Sequence, residues 1–208
     1  MAIRLIDRRQ LRQTPWKNGA GLTLELAIAP ATAGLDNFEW RISSAQVAGS
    51  GDFSCFAGID RSLALLAGAG LRLQRTQVEP LLVTTQAPVV AFAGEQTIHA
   101  ELLDGPITDL NIMTRRTDWT HRLQQLHLLG RQRLNSTADV LFIYCHSGGP
   151  LHCNLSSGEQ YPLMPGQGLL LEDQANLPAL ELQASQYVSA YLAWLNRVTS
   201  WPQTQAPH

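Results

Sequence analysis

"TDLNIMTRR", Thr108 to Arg116, alternates polar and apolar side chains. In an extended chain residues i and i+2 share a face. Asp109, Asn111, Met113 and Arg115 then line one side, opposite Leu110 and Ile112. The same period recurs in "WRISSAQV", Trp40 to Val47, where Arg41 and Ser43 lie opposite Trp40 and Ile42. In "GLTLELAI", Gly21 to Ile28, it sets Thr23, Glu25 and Ala27 opposite Leu22, Leu24, Leu26 and Ile28. Other short apolar segments, such as "SLALLAG", "PLLVTT", "DVLFIYCH" and "GLLLED", are separated by Gly, Pro, Asn, Asp or Ser. Many short strands with frequent turn signals predict an all-β sandwich or barrel.

Two stretches interrupt that pattern. The apolar spacing of "DWTHRLQQLHLLGRQRL" fits a helix or a strand, and "DRRQLRQ" near the start fits a short helical turn. Polar residues crowd near Arg116–Asn135, after which the strand pattern restarts with "ADVLFIYC". The expected organisation is two β-halves of unequal length, residues 1–118 and 119–198, packed as one body. The Pro- and Gln-rich end, 199–208, is expected to be a flexible tail.

The totals exclude several function classes. Fifteen basic residues against 17 acidic ones give a net charge of -2, so there is no basic face for nucleic acid. Three cysteines, Cys55, Cys145 and Cys153, are too few and too odd for a disulfide framework. "MAIRLIDRRQLRQ" has no apolar core of a secretory signal, and no run approaches the roughly 20 apolar residues of a membrane helix. A cytoplasmic protein with no membrane partner is the expectation.

The three polar faces allow two readings. They are the solvated outside of an antiparallel sheet, or they converge inside a small barrel that holds a ligand. In the second case arginine offers a planar fork that matches a carboxylate. The block "GSGDFSCFAGIDRSLALLAG" adds Phe53 and Phe56 around Ser54, then Asp60 and Arg61. Asp60–Arg61 is either a surface ion pair at a hairpin turn or the mouth of a pocket roofed by the two phenylalanines. Lys17, the only lysine of the chain, sits in the turn "TPWKNGAG" and is either a surface charge or a ligand contact. Cys55 reads as a small buried side chain.

Metal chemistry has little support. The six histidines never form an HxH pair. "YCHSGGPLHC" places Cys145, His146, His152 and Cys153 around a turn, where a plain hairpin is favoured over a metal site. "LMPGQGLLLED" resembles the glycine turn of a cupin's second motif without its metal histidine.

Together, "PWKNGAGLTLELA", "WRISSAQVAGSGDFSCFAGIDRSLALLAGAGLRL", "FAGE" and "LLDGPITDLNIMTRR" resemble the HutD/Ves family, in order and at family-like spacing over roughly residues 10–120. Ala20 stands where the family commonly has a third glycine. The resemblance implies a bicupin, two cupin-like β-barrels in one chain, linked to histidine utilisation in bacteria. It implies a binder or governor of that pathway rather than an established enzyme. The ligand would be a small carboxylate such as urocanate or formylglutamate, with no cofactor and no metal. It puts Trp16, Lys17, Asn18, Thr23, Glu25, Arg41, Ser43, Phe53, Ser54, Phe56, Asp60, Arg61, Asp109, Asn111 and Arg115 on motif positions as candidate ligand contacts. The alternative is a cupin-type isomerase or hydrolase with Glu25 or Asp60 as general base. A homodimer is left open.

Overall fold

A computed structural model describes residues 2–16, 19, 21–172 and 177–198. In chain order the first strands are β1 (Ala2–Asp7), β2 (Gln13–Pro15), β3 (Gly21–Ala29), β4 (Trp40–Val47), β5 (Gly51–Asp52) and β6 (Ile59–Ala67). Next come β7 (Leu71–Arg75), β8 (Val78–Val83), β9 (Val89–Ala93), β10 (Ile98–Leu102), β11 (Ile107–Arg115) and β12 (Trp119–Leu134). The rest are β13 (Val140–Gly148), β14 (Leu151–Leu155), β15 (Gln160–Leu163), β16 (Gln167–Glu172) and β17 (Leu180–Arg197). The ambiguous stretch after Asp118 is therefore extended. "DRRQLRQ" supplies a short 3-10 turn over Arg8–Gln10, with the Asp7 carboxylate accepting from the Arg9 backbone N–H.

These strands form three antiparallel sheets. A six-stranded sheet has the order β2-β3-β4-β11-β6-β9, and a four-stranded sheet has the order β5-β10-β7-β8. The large sheet runs β1-β16-β13-β17-β14-β15, with β12 also paired to β17. The six-stranded sheet is buried on both faces. One face packs Ala45, Leu63, Leu65 and Ile107 against Leu71, Leu73, Val83 and Ile98 of the four-stranded sheet, forming the first barrel. The other packs Trp40, Ile42, Leu110 and Ile112 against Phe142, Tyr144, Leu170 and Tyr191 of the large sheet. The large sheet curls around its own core of Leu141, Ile143, Cys145, Leu151, Leu182 and Val188. Each such fully buried aliphatic side chain is worth about 1.5–3 kcal/mol. The result is all-β, with two cupin-like barrels packed together.

The first strand departs from a simple division after residue 118. β1 pairs with β16 from Ala2↔Glu172 to Asp7↔Gln167, so the N-terminal residues complete the sheet of the second half. A second tie between the halves is polar. The His121 ring sits between the Thr114 hydroxyl (Nδ1, 2.7 Å) and the Ser62 hydroxyl (Nε2, 2.9 Å). Burial pushes its pKa down to about 4, so the imidazole is neutral and uses one nitrogen to donate and the other to accept.

Three local expectations need correction. "YCHSGGPLHC" is not a hairpin. β13 and β14 both pair antiparallel with β17, one after the other along it, so they run in line rather than folding back. Cys145 and Cys153 point into the second core, and His146 and His152 are not brought together on a shared hairpin. Cys55 is exposed rather than buried, its thiol 3.5 Å from the Glu95 carbonyl; all three cysteines are free. In β3 a register shift between Glu25 and Ala27 breaks the alternation. Leu26 and Ala27 both enter the core between the sheets, and Ile28 turns to the opposite side with Phe38 and Met113.

Candidate functional site in the N-terminal barrel

Directly opposite residues of antiparallel neighbours share a face. The register therefore assembles the polar faces in three rows. Thr23, Ala45, Asp109 and Leu65 stand side by side, as do Glu25, Ser43, Asn111 and Leu63. The next row is Ile28, Arg41, Met113, Arg61 and Phe92. Leu63, Leu65, Ala45 and Phe92 in these rows belong to the core of the first barrel, so the polar side chains beside them look inward as well. Ser43 is 3%, Asp109 2%, Arg61 7% and Asn111 9% exposed. A solvated outer face is thereby excluded for these four.

Arg61 is the centre of the group. Its guanidinium carbon lies 5.0 Å from the ring centre of Phe92, 5.2 Å from Phe53 and 5.7 Å from Phe56. Cation–π contacts of this kind are worth about 0.5–2 kcal/mol. Its hydrogen bonds are poorer. Nη1 donates at 3.4 Å to the Ser54 carbonyl, and the buried Nε has no protein partner. Burial, with the nearby Arg41 charge, pulls its pKa down to about 10, against the attraction of Asp109.

Asp109 meets the same low-dielectric interior from the other sign. Its Oδ1 accepts from the Ala45 N–H at 3.1 Å, yet burial pushes its pKa up to about 7. Near neutral pH it exists as a mixture of acid and carboxylate, and the interior carries an excess of positive charge. The buried Asn111 Oδ1 is also without a partner. At the edge of the group Arg41 donates from Nε to Glu25 at 3.0 Å and from Nη1 to the Ser43 hydroxyl at 3.3 Å. Glu25 is half-exposed, so this pair adds at most about 1 kcal/mol. Trp16 donates from its indole N–H to the Thr23 hydroxyl at 2.8 Å and packs over Gly21, where a Cβ would meet the indole at 3.0 Å.

Other candidates stand elsewhere. Asp60 neighbours Arg61 in β6 and so faces the opposite side, where it accepts from Arg116, which also grips Glu95. Arg115 donates twice to the Phe38 carbonyl, at 3.2 and 3.0 Å, and holds the chain before β4 in place. Ser54 contributes its carbonyl and is itself exposed. Lys17 and Asn18 lie outside the described residues. Phe92 was not among the candidates. It sits in "FAGE", whose Gly94 accepts from Phe56 N–H and donates to the Ile59 carbonyl, drawing the phenylalanine loop over Arg61. A Cβ at Gly94 would meet both the Phe56 and Ile59 carbonyls at 2.8 Å. Among the described residues, no three His, Cys, Asp or Glu side chains group as metal ligands.

The sequence matches the HutD family profile over residues 8–191. The chain belongs to the HutD family. A 21.2-kDa protein in the hutC 3′ region of Pseudomonas putida is 33% identical over 181 residues, 87% of this chain and 93% of that one. Protein Ves of Citrobacter koseri is 39% identical over 112 residues, 53% of this chain and 56% of its own length. The structure of HutD from Pseudomonas fluorescens aligns with a TM-score of 0.78 at 29% identity, covering 95% of this chain and all of that one. A conserved protein of unknown function from Pseudomonas aeruginosa aligns at 0.88 and 32% identity, over 94% of this chain and all of that one. A cupin barrel protein from Leptotrichia buccalis aligns at 0.59 with 8% identity, over 93% of this chain and 96% of its own, a likeness of fold alone. Membership of the HutD family associates the chain with histidine utilisation. No helix among the described residues is long and apolar enough to cross a membrane.

Proposed function

We propose that the first barrel binds a small carboxylate that also carries an N–H or O–H donor, and that the chain modulates histidine utilisation through that binding. The observation that carries this reading is the pair of buried, unpartnered polar atoms, Arg61 Nε and Asn111 Oδ1, in one barrel interior. A buried donor or acceptor left unmade costs about 1–3 kcal/mol, more when charged. A carboxylate accepts from the Arg61 fork, and the ligand's donor meets Asn111. Arg41 adds a second positive charge near Arg61. Urocanate and formylglutamate each combine a carboxylate with an N–H and are the ligands to try first.

Binding is favoured over catalysis by the placement of the two carboxylates considered as bases. Asp60 faces away from Arg61 and is held by Arg116. Glu25 is committed to Arg41. Thermal unfolding with each compound is the direct test. A ligand at 100 times its dissociation constant stabilises the fold by about 2.7 kcal/mol. Absence of any shift with either compound, or an equal shift with neutral analogues, counts against a carboxylate site.

A further inference from the structure

The interface between the two halves opens at one end into a cleft of about 260 Å³, separate from the polar interior of the first barrel. Leu65 and Leu66 at the end of β6, with Gly68 just beyond it, form one wall. His127 of β12, His146 of β13 and Tyr187 and Tyr191 of β17 form the other. We propose that this cleft is a second binding site, for a small planar uncharged molecule that both donates and accepts hydrogen bonds.

Strand irregularities deliver the side chains. β13 slips by one residue against β17 between Cys145 and Ser147, and His146 is the extra residue. β12 and β17 lose register between Leu128 and Gly130, where Leu128 pairs with Val188 and Gly130 with Ala184. The extra length of β17 there carries Tyr187. Bulges re-aim side chains and gather near sites. Two independent ones, in different strands, bring residues to one cleft. Gly148 lets the end of β13 press against β17, since a Cβ there would lie 2.0 Å from the Tyr187 carbonyl.

The chemistry of the lining selects the ligand. Among the described residues that line it there is no Asp, Glu, Lys or Arg. Two aromatic pairs supply flat surfaces. The His127 and Tyr187 rings stack at 5.6 Å with a 16° tilt, and the His146 and Tyr191 rings lie 5.7 Å apart. The Tyr187 hydroxyl bonds His127 Nδ1 at 2.7 Å, so when it donates, the proton of the neutral ring sits on Nε2 as a free donor. Burial and the nearby Arg8 charge hold His146 below its ordinary pKa, which keeps its ring neutral and able to accept. The Tyr191 hydroxyl already donates to the Leu65 carbonyl, and the Ser189 hydroxyl accepts from the Gln125 amide. None of the described lining residues could pair with a charged ligand, Arg8, whose charge reaches His146, being outside the lining, and an apolar ligand would leave the imidazoles unmatched. The volume lies just below the range of about 300–1,000 Å³ typical of drug-sized ligands, which fits a single substituted ring.

Benzamide is the probe, with benzoate and benzamidine as charged molecules of the same shape. Imidazole C–H resonances are followed by NMR in the full chain. Benzamide is expected to shift His127 and His146 saturably, leaving His99 and His152 unmoved, and to bind at least ten-fold more tightly there than either ion. Tyr187→Ala is expected to weaken it about five-fold, the scale of one aromatic stack. Tyr187 is 60% exposed, so the variant should fold, and Tyr187→Phe retains the stack as a control. Arg61→Met is expected to leave benzamide binding unchanged, which separates this site from the barrel. Unsaturable shifts, equal binding of benzoate, or wild-type affinity in Tyr187→Ala would overturn the proposal.

Discussion

Replacing Asp109 with Asn removes a titrating group from the barrel interior while keeping the acceptor for the Ala45 N–H. Burial raises the Asp109 pKa from 3.8 to about 7. The native state therefore holds its proton over a range where the unfolded chain has lost it. The associated destabilisation is absent below pH 3.8, grows as pH rises, and is complete above about pH 7. At 1.36 kcal/mol per pH unit, roughly 3 units amount to at most about 4 kcal/mol, a net figure that already contains the attraction of ionised Asp109 to Arg61. Urea unfolding of both proteins from pH 4 to 8.5 measures it. Asp109→Asn should match the wild type near pH 4 and exceed it by about 2–4 kcal/mol at pH 8. His121, with its pKa lowered to about 4, acts in the other direction: its contribution is present above pH 6.5 and lost as pH falls toward 4. Both proteins retain it, so it cancels in the difference. A pH-independent difference would mean that Asp109 has no raised pKa in the folded protein.

Arg61→Met exchanges a buried, incompletely bonded cation for an apolar stem. Unliganded stability should change by no more than about 1 kcal/mol, while carboxylate affinity should fall by about 1.5–3 kcal/mol in titration calorimetry. The opposite pattern would make Arg61 structural. The His121 imidazole resonances should show no titration above about pH 5, because the ring is buried between Thr114 and Ser62. An aromatic disulfide reagent should modify one thiol, Cys55, in the folded protein, and reach Cys145 and Cys153 only on unfolding.

Much of the fold was legible in alternation. The period of two in "TDLNIMTRR" and "WRISSAQV" put Asp109, Asn111, Arg41 and Ser43 on faces opposite Leu110 and Ile42, and the register keeps them so. What alternation does not tell is which face is inside. The six-stranded sheet is buried on both sides, one against each half, and this emerges only when all three sheets are placed. The same rule could have separated Asp60 from Arg61, since adjacent strand residues cannot share a pocket. The bulge in β3 leaves no mark, because "TLEL" alternates straight through it and backbone pairing alone turns Ile28 over. The in-line course of β13 and β14 was hidden for a related reason. "SGGP" reads as a hairpin turn, but the long strand β17 offers pairing to both segments on one side. Phe92 was missed because a phenylalanine in an apolar strand looks like ordinary core until its ring is found over a guanidinium.

In the proposed complex a small carboxylate completes the Arg61 fork, which is unpartnered at Nε. The most direct measurement is the Arg61 Nε–H resonance, assigned by loss in Arg61→Lys and followed during addition of urocanate and formylglutamate. A saturable downfield shift with slowed solvent exchange is expected for at least one of them, as the N–H gains a charged acceptor. An Arg61 Nε–H that stays unchanged while either compound demonstrably binds the protein would contradict it.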